Sequence, residues 1–289
     1  MQDLLKYLKI RKDCIEEGLQ KYIGDEPSYL KKLHEAMIYS LFPGGKRIRP
    51  LFCYLSGELF GIDENKLLSM ACAVEMMHAA SLILDDLPLM DDSPERRGKP
   101  STHMVYGENV ACLASMGLIM KSYEIIACDP YLADREKSAV ISRLAKAAGI
   151  IGMVGGQYVD LTCPLDKINH IMMDYIHTHK TSSLFMAAGS VAAIAANASD
   201  QEIQAIETYA LNLGYAFQIQ DDILDYRADA IPTASHEDGA VDFVRLYGMD
   251  RAREMLVETT QKALDSIAMF GDKNAKLKHL AGLLMRRSS

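Results

Sequence analysis

Asp85, Asp86, Asp91 and Asp92 fall within eight positions, and Asp221, Asp222 and Asp225 within five, each group in an otherwise apolar helical stretch. Carboxylates are seldom buried unpaired, because each loses its hydration without compensation. Two such groups, one in each half of the chain, suggest a shared cavity filled by cations. Carboxylate oxygens and water are the ligands a hard divalent ion such as Mg2+ prefers. Asp221 and Asp225 stand i and i+4 and share a helix face, where like charges destabilise unless a ligand neutralises them. Asp85 and Asp86 close a helix whose C-terminal dipole repels acids, so something cationic must compensate; Arg96, Arg97 and Lys99 follow on the loop. A plainer reading, an acidic cap paired with a basic loop, leaves four aspartates in eight positions unexplained.

Cations gather at two further places, and a glycine pair marks a third. Gly44-Gly45-Lys46-Arg47-Ile48-Arg49-Pro50 is a glycine turn opening onto three cations in four positions. Beside a helix N-terminus such a turn makes an anion site, although a solvated basic turn has the same composition. His179-Lys180-Thr181 lies before an Ala-rich run, where Lys180 would point into the cavity and Thr181 would bond a phosphate oxygen or its own i−4 carbonyl. Gly155-Gly156-Gln157, with Asp160, puts two glycines in a helical run, which close helix packing or a kink also explains. His78 lies two turns before Asp85, pointing inward or simply part of the core. Divalent ions held by acids and ringed by Lys and Arg make a diphosphate site.

These groups need a rigid scaffold, and the composition supplies a helical one. Ala, Leu, Met, Glu and Lys dominate, apolar residues recur at three- and four-residue spacing, and strand-like alternation is missing. The expected helices run 2–22, 27–40, 46–59, 64–86, 108–128, 133–154, 166–195, 200–224, 240–268 and 273–286. Asp63, Asp166, Asp200 and Asp250 are expected as N-caps or first-turn acids. With 289 residues, no repeat and short connections, one all-α domain fits best. The net charge of −8 argues against a nucleic-acid partner. Six cysteines without a CxxC pair read as small buried hydrophobes in a reducing compartment. No leader pattern and no membrane span are expected, so the protein is placed in the cytoplasm.

In this order and at these separations the motifs resemble the all-trans short-chain prenyl diphosphate synthases, of the geranylgeranyl and farnesyl diphosphate synthase type. Residues 44–50 resemble the family's first basic motif, and His78 through Gly98 its first aspartate-rich motif. Gly155-Gly156-Gln157, His179-Lys180-Thr181 and Phe217 through Asp225 match the remaining landmarks, from about residue 25 to the C-terminal helices. The resemblance implies an isoprenoid synthase fold of about ten core helices around a central cavity, in a homodimer. It implies head-to-tail condensation of isopentenyl diphosphate with an allylic diphosphate. Asp85, Asp91, Asp221 and Asp225, together with Asp86 and Asp222 of the same motifs, would form the metal site for three Mg2+ ions. Arg96 and Lys180 would grip the allylic diphosphate, with Thr181 and Gln218 lining the reaction centre. Lys46, Arg49, His78 and Arg97 would bind the diphosphate of isopentenyl diphosphate.

Chain length would follow cavity depth below the first acid cluster. Ala80 and Ser81, one turn back from Asp85, are not bulky aromatics, which favours a C20 over a C15 product; Met116 and Met120 would supply the next floor. Two departures stand out. Residues 226–244 contain no lysine where the family supplies two, leaving Arg227 and Arg245 as substitutes, and Leu84 replaces a usual histidine. The alternative to an active enzyme is a catalytically weak regulatory subunit of a heteromeric synthase.

Overall fold

The computed structural model describes residues 2–25, 27–42, 44–164, 169–228 and 243–285. Over these the fold is all-α, and the only strands are a two-residue pair. The ten expected helices are present, several of them divided. The first half holds α1 (Gln2–Ile23), α2 (Lys31–Leu41) behind a 3-10 turn, α3 (Ile48–Leu59), α4 (Glu64–Asp85), the strands β1 (Glu95–Arg96) and β2 (Lys99–Pro100), α5 (Thr102–Tyr106), α6 (Glu108–Ala127) and α7 (Asp134–Ala148). The second holds α8 (Met153–Thr162), α9 (His170–Ile176), a π-helical turn (His177–Ser182), α10 (Ser183–Ala195), α11 (Asp200–Ala228), α12 (Phe243–Tyr247), α13 (Met249–Ser266), a 3-10 segment (Ala268–Asn274) and α14 (Ala275–Met285).

Contacts divide the chain into two compact units, residues 1–144 with 191–197, and residues 145–190 with 198–289. In the first, α4 packs on α3, α6, α1 and α2. Its sequence is apolar on every side, and Met70, Ala71, Cys72, Ala73, Val74, Met76 and Met77 are all buried, as a central helix requires. Asp63 caps α4 by accepting the Asn65 N–H at 2.9 Å, worth about 1 kcal/mol. In the second unit α11 packs on α13, α12 and the π turn, and α8 packs on the π turn. Asp200 and Asp250 sit in the first turns of α11 and α13 as expected; Asp166 lies outside the described residues.

Several expectations change. The helix expected over 133–154 stops at Ala148, where the turn from Gly149 to Gly152 is so tight that a Cβ at Gly152 would lie 2.0 Å from the Ala147 carbonyl. The helix expected over 240–268 breaks at Gly248, which has φ +81°. Only Cys53 and Cys72 are fully buried and Cys128 is exposed, so not all the cysteines are core hydrophobes. The residues 64–85, 108–127 and 134–162 are long and apolar enough, by length and composition, to cross a membrane, which the sequence reading excluded. In α4 that hydropathy belongs to the core, since 78% of the apolar window is buried inside the protein.

Candidate active site

The glycine turn separates its three cations. Lys46 is exposed. Arg47 turns inward from a left-handed backbone (φ +54°), and its side chain is fully buried. Its Nε and Nη2 fork onto the two Glu16 oxygens at 2.9 and 3.0 Å, Nη1 meets Glu75, and Nη2 also reaches the Leu41 carbonyl at 2.7 Å. A left-handed non-glycine residue costs about 1–2 kcal/mol, offset here by four charge-assisted bonds. Gly44 makes room, because a Cβ there would fall 2.1 Å from the Arg47 guanidinium. From α1, Lys12 donates to the Gly45 carbonyl at 3.2 Å and fixes the other side of the turn.

Arg49 leaves the turn differently. Its Nη1 lies 3.4 Å from His78 Nε2 on α4, while its buried Nε has no hydrogen-bond partner. Arg97 joins from the β1–β2 hairpin. Arg97 and Gly98 have φ of +57° and +76°, which makes a two-residue turn with Arg96 opposite Lys99. The Arg97 guanidinium then rests on bare backbone, since a Cβ at Gly45 would lie 3.0 Å from its Cζ. Among the described residues neither Arg49 nor Arg97 forms an ion pair with a carboxylate. Burial lowers the pKa of both, opposed by the nearby Glu75 carboxylate. Burial also pushes the His78 imidazole well below its ordinary value, helped by Arg49 and Arg97, so His78 is neutral at pH 7. An arginine pair without counterions beside a neutral histidine is a ready anion site.

Lys99 and Arg96 lock the hairpin in place. The Lys99 ammonium donates to the carbonyls of Tyr39 and, at 2.7 Å, Phe42, so it caps the C-terminal end of α2 and does not face the aspartates. Arg96 Nε donates to Asp86 Oδ1 at 2.8 Å, and Nη2 reaches the same oxygen. This is the expected compensation at the end of α4, made by Arg96 to the second aspartate of the pair. The following turn is closed by the Asp91 N–H to the Asp85 carbonyl at 2.9 Å and the Asp92 N–H to the Leu87 carbonyl at 3.1 Å. Asp91 and Asp92 are therefore presented to solvent, Asp85 is half-buried, and Asp86 is buried.

In the second unit, Lys180 and Thr181 lie on the π turn, where the chain bulges by one residue, a feature frequent at functional sites. Lys180 Nζ is 2.5 Å from Asp160 Oδ2 on α8. Gly156 explains the glycine pair: a Cβ there would lie 2.2 Å from the Lys180 backbone nitrogen, so only glycine lets α8 approach this closely. On α11, Asp222 accepts from Gln218 Nε2 at 2.8 Å and from the Phe243 N–H at 2.9 Å, which places Gln218 and ties α12 to the second acid cluster. The Phe243 ring stacks on His177 at 4.9 Å. Burial lowers His177 to about 4. Asp221 is half-buried on the same helix; the Asp225 side chain and the lysine-free stretch 229–242 lie outside the described residues, as does the Arg227 side chain. Arg245 is exposed on α12.

Ala80 is fully buried, and Ser81 is half-buried with its hydroxyl on the His78 carbonyl at 2.9 Å. Met116 and Met120, expected as floor residues, are instead 56% and 61% exposed, on one face of α6 with Leu113. The α6 residue that reaches Ala80 is Ser115, whose hydroxyl donates to the Ala80 carbonyl at 2.9 Å. Sequence reasoning also passed over Glu16 and Glu75. Glu75, an acid inside the run Met70–Ala80, carried a legible signal.

Among the described residues no three His, Cys, Asp or Glu gather into a metal cluster. Mg2+ does not require one. It commonly keeps several waters and takes one or two carboxylates plus substrate phosphate oxygens. The all-oxygen donor set of Asp85 and the exposed Asp91, on one closed turn, fits that habit.

Comparison with known proteins places the chain in a family. The polyprenyl synthetase family model matches residues 30–274. The large subunit 1 of a heterodimeric geranylgeranyl pyrophosphate synthase, chloroplastic, of Arabidopsis thaliana is 36% identical over 306 residues, covering 99% of this chain and 80% of that protein. Geranylgeranyl pyrophosphate synthase 6, mitochondrial, of the same plant is also 36% identical, covering 99% and 91%. Among solved structures, a geranyltransferase from Legionella pneumophila superposes with a TM-score of 0.90 at 33% identity, covering 99% of this chain and 98% of that one. An FPP/GFPP synthase from Zymomonas mobilis gives 0.89 at 28% identity, covering 98% and 99%. The chain belongs to the polyprenyl synthetase family and is a prenyltransferase enzyme with the all-α isoprenoid-synthase fold.

Proposed function

We propose that the protein condenses isopentenyl diphosphate head-to-tail with allylic diphosphates, in a Mg2+-dependent reaction that ends at a C20 rather than a C15 product. The observation that carries this reading is the pair of arginines, Arg49 and Arg97, that have no carboxylate partner among the described residues and lie beside neutral His78, a receptor for a diphosphate. Lys46, Arg49, His78 and Arg97 hold isopentenyl diphosphate. Arg96 and Lys180 hold the allylic diphosphate, and Thr181 and Gln218 line the reaction centre. Asp85 and Asp91, with Asp221 and Asp225, are the ligands for three Mg2+ ions; when bound, Mg2+ neutralises the charge developing on the leaving diphosphate. Asp86 and Asp222, first read as metal ligands, serve this site by fixing Arg96 and Gln218.

Loss of the allylic diphosphate leaves a carbocation that the double bond of isopentenyl diphosphate attacks, and the departing diphosphate, kept in place by the cations, takes the final proton. The C20 preference rests on Ala80 and Ser81, neither of which closes the space below Asp85 with an aromatic ring. The family model spans residues from both compact units, which supports reading the chain as one synthase domain. A homodimer is supported by the exposed apolar face of Leu113, Met116 and Met120 on α6. Incubating the purified chain with isopentenyl diphosphate, Mg2+ and each of the C5, C10 and C15 allylic primers, then chromatographing the products, tests the reading. One C20 product abolished by chelator supports it. A C15 stop overturns the length assignment, and no product from any primer favours the regulatory-subunit alternative.

A further inference from the structure

Arg47 lies among the substrate-binding cations but binds no substrate in the reading above, and its geometry gives it another task. Its guanidinium is fully buried and every bond it makes is internal: a fork onto Glu16, one bond to Glu75, and one to the Leu41 carbonyl. Glu75, 2% exposed, is the buried carboxylate within electrostatic reach of both Arg49 and Arg97. It forms its ion pair with Arg47 and with neither of them. An unrestrained carboxylate here would be drawn to Arg49 and Arg97, whose guanidiniums have no acid partner among the described residues. It would then occupy the donors that a diphosphate needs.

We propose that Arg47 is a positioning residue that sequesters Glu75, so that Arg49 and Arg97 stay open to the diphosphate of isopentenyl diphosphate. Glu16 completes the device by anchoring the Arg47 fork from α1, and Gly44 admits the guanidinium. Glu75 thus supports the positive charge of the site without filling it. The inference rests on the assignment of Arg49 and Arg97 to isopentenyl diphosphate.

The test compares KM for isopentenyl diphosphate with KM for geranyl diphosphate in the full chain, alongside thermal unfolding. Arg47→Met is expected to raise KM for isopentenyl diphosphate at least tenfold while leaving KM for geranyl diphosphate within about threefold. Arg47→Lys, which keeps a cation but cannot bridge both glutamates and the Leu41 carbonyl, is the variant to use if Arg47→Met fails to fold, and a rise of about threefold or more is expected. Adding Glu75→Gln to either variant should bring KM back to within about threefold of wild type, because the competing charge is gone. If Arg47 merely anchored the loop, Glu75→Gln could not rescue it, and an unrescued double variant overturns the proposal. Arg49→Met serves as the control for the underlying assignment. If it leaves KM for isopentenyl diphosphate unchanged, that assignment fails first; if it raises KM and rescue still fails, only the role of Arg47 falls.

Discussion

Gly156→Ala sets two calculable effects against each other. Replacing glycine inside a helix with alanine ordinarily stabilises by up to about 1 kcal/mol. Here the new Cβ would lie 2.2 Å from the Lys180 nitrogen and 2.8 Å from both the His179 carbonyl carbon and Lys180 Cα. These are backbone atoms, so no side chain can swing away. Restoring ordinary contact requires α8 and the π turn to part by about 1 Å, and overpacking of this kind costs about 1–3 kcal/mol. The clash wins, with a net loss of about 1–2 kcal/mol and a Tm lower by roughly 2–6 °C. The same displacement would move Lys180 away from the allylic diphosphate that we propose it holds, and a shift of about 1 Å can cost on the order of 100-fold in rate. Gly282→Ala on α14 is the control. Nothing lies within 4 Å of its Cβ, so a Tm rise of about 1–3 °C is expected. Differential scanning fluorimetry and steady-state assays with geranyl diphosphate read both variants. A Gly156→Ala protein that melts at or above wild type with full turnover would refute the close-packing argument.

Other perturbations separate charges with different roles. Asp91→Ala, at an exposed position, is expected to leave Tm unchanged but to lower turnover on the order of 100-fold if Asp91 holds Mg2+, as a Mg2+ titration of the rate would show. Asp86→Asn, which weakens the pair with partly exposed Arg96, should cost about 1–2 kcal/mol in urea unfolding and weaken allylic diphosphate binding. His177 has its folded pKa depressed to about 4, below the ordinary value near 6.5, so the unfolded chain binds the extra proton first. Its stabilising contribution is full above pH 6.5 and is lost as pH falls toward 4, by roughly 3 kcal/mol at most. His177→Phe, which keeps the stack on Phe243, should flatten the urea midpoint over that window. Ser81→Phe should shift the chromatographed product from C20 to C15 by closing the space below Asp85.

What the sequence revealed depended on whether local pattern or remote contact set the conformation. The buried helix α4 was readable because its apolar residues run all round, and Asp63 announced its start. The stop at Ala148 was not, because the apolar residues Ile150, Ile151, Met153 and Val154 continue the helical pattern past it and only the tight turn from Gly149 to Gly152 ends the helix. The π turn adds one residue to a helix without changing its composition. The β1–β2 hairpin has strands of two residues, too short for alternation to register, and is held by Lys99 on the end of α2. The cations were found as a group, yet Lys46, Arg47 and Arg49 are chemically alike until a left-handed backbone at Arg47 sends one of them inward. The acid motifs were legible as sites, but the partners that distinguish Asp86 from Asp91, and Asp222 from Asp221, come from distant segments.

The most direct measurement is the steady-state KM for isopentenyl diphosphate and for geranyl diphosphate in Arg49→Met and Arg97→Met. A rise of at least tenfold is predicted for isopentenyl diphosphate in each, with the geranyl value within about threefold of wild type, as expected when a charge-assisted contact of about 1.5–3 kcal/mol is lost. Unchanged KM for isopentenyl diphosphate in both variants would contradict the assignment of this arginine pair to its diphosphate.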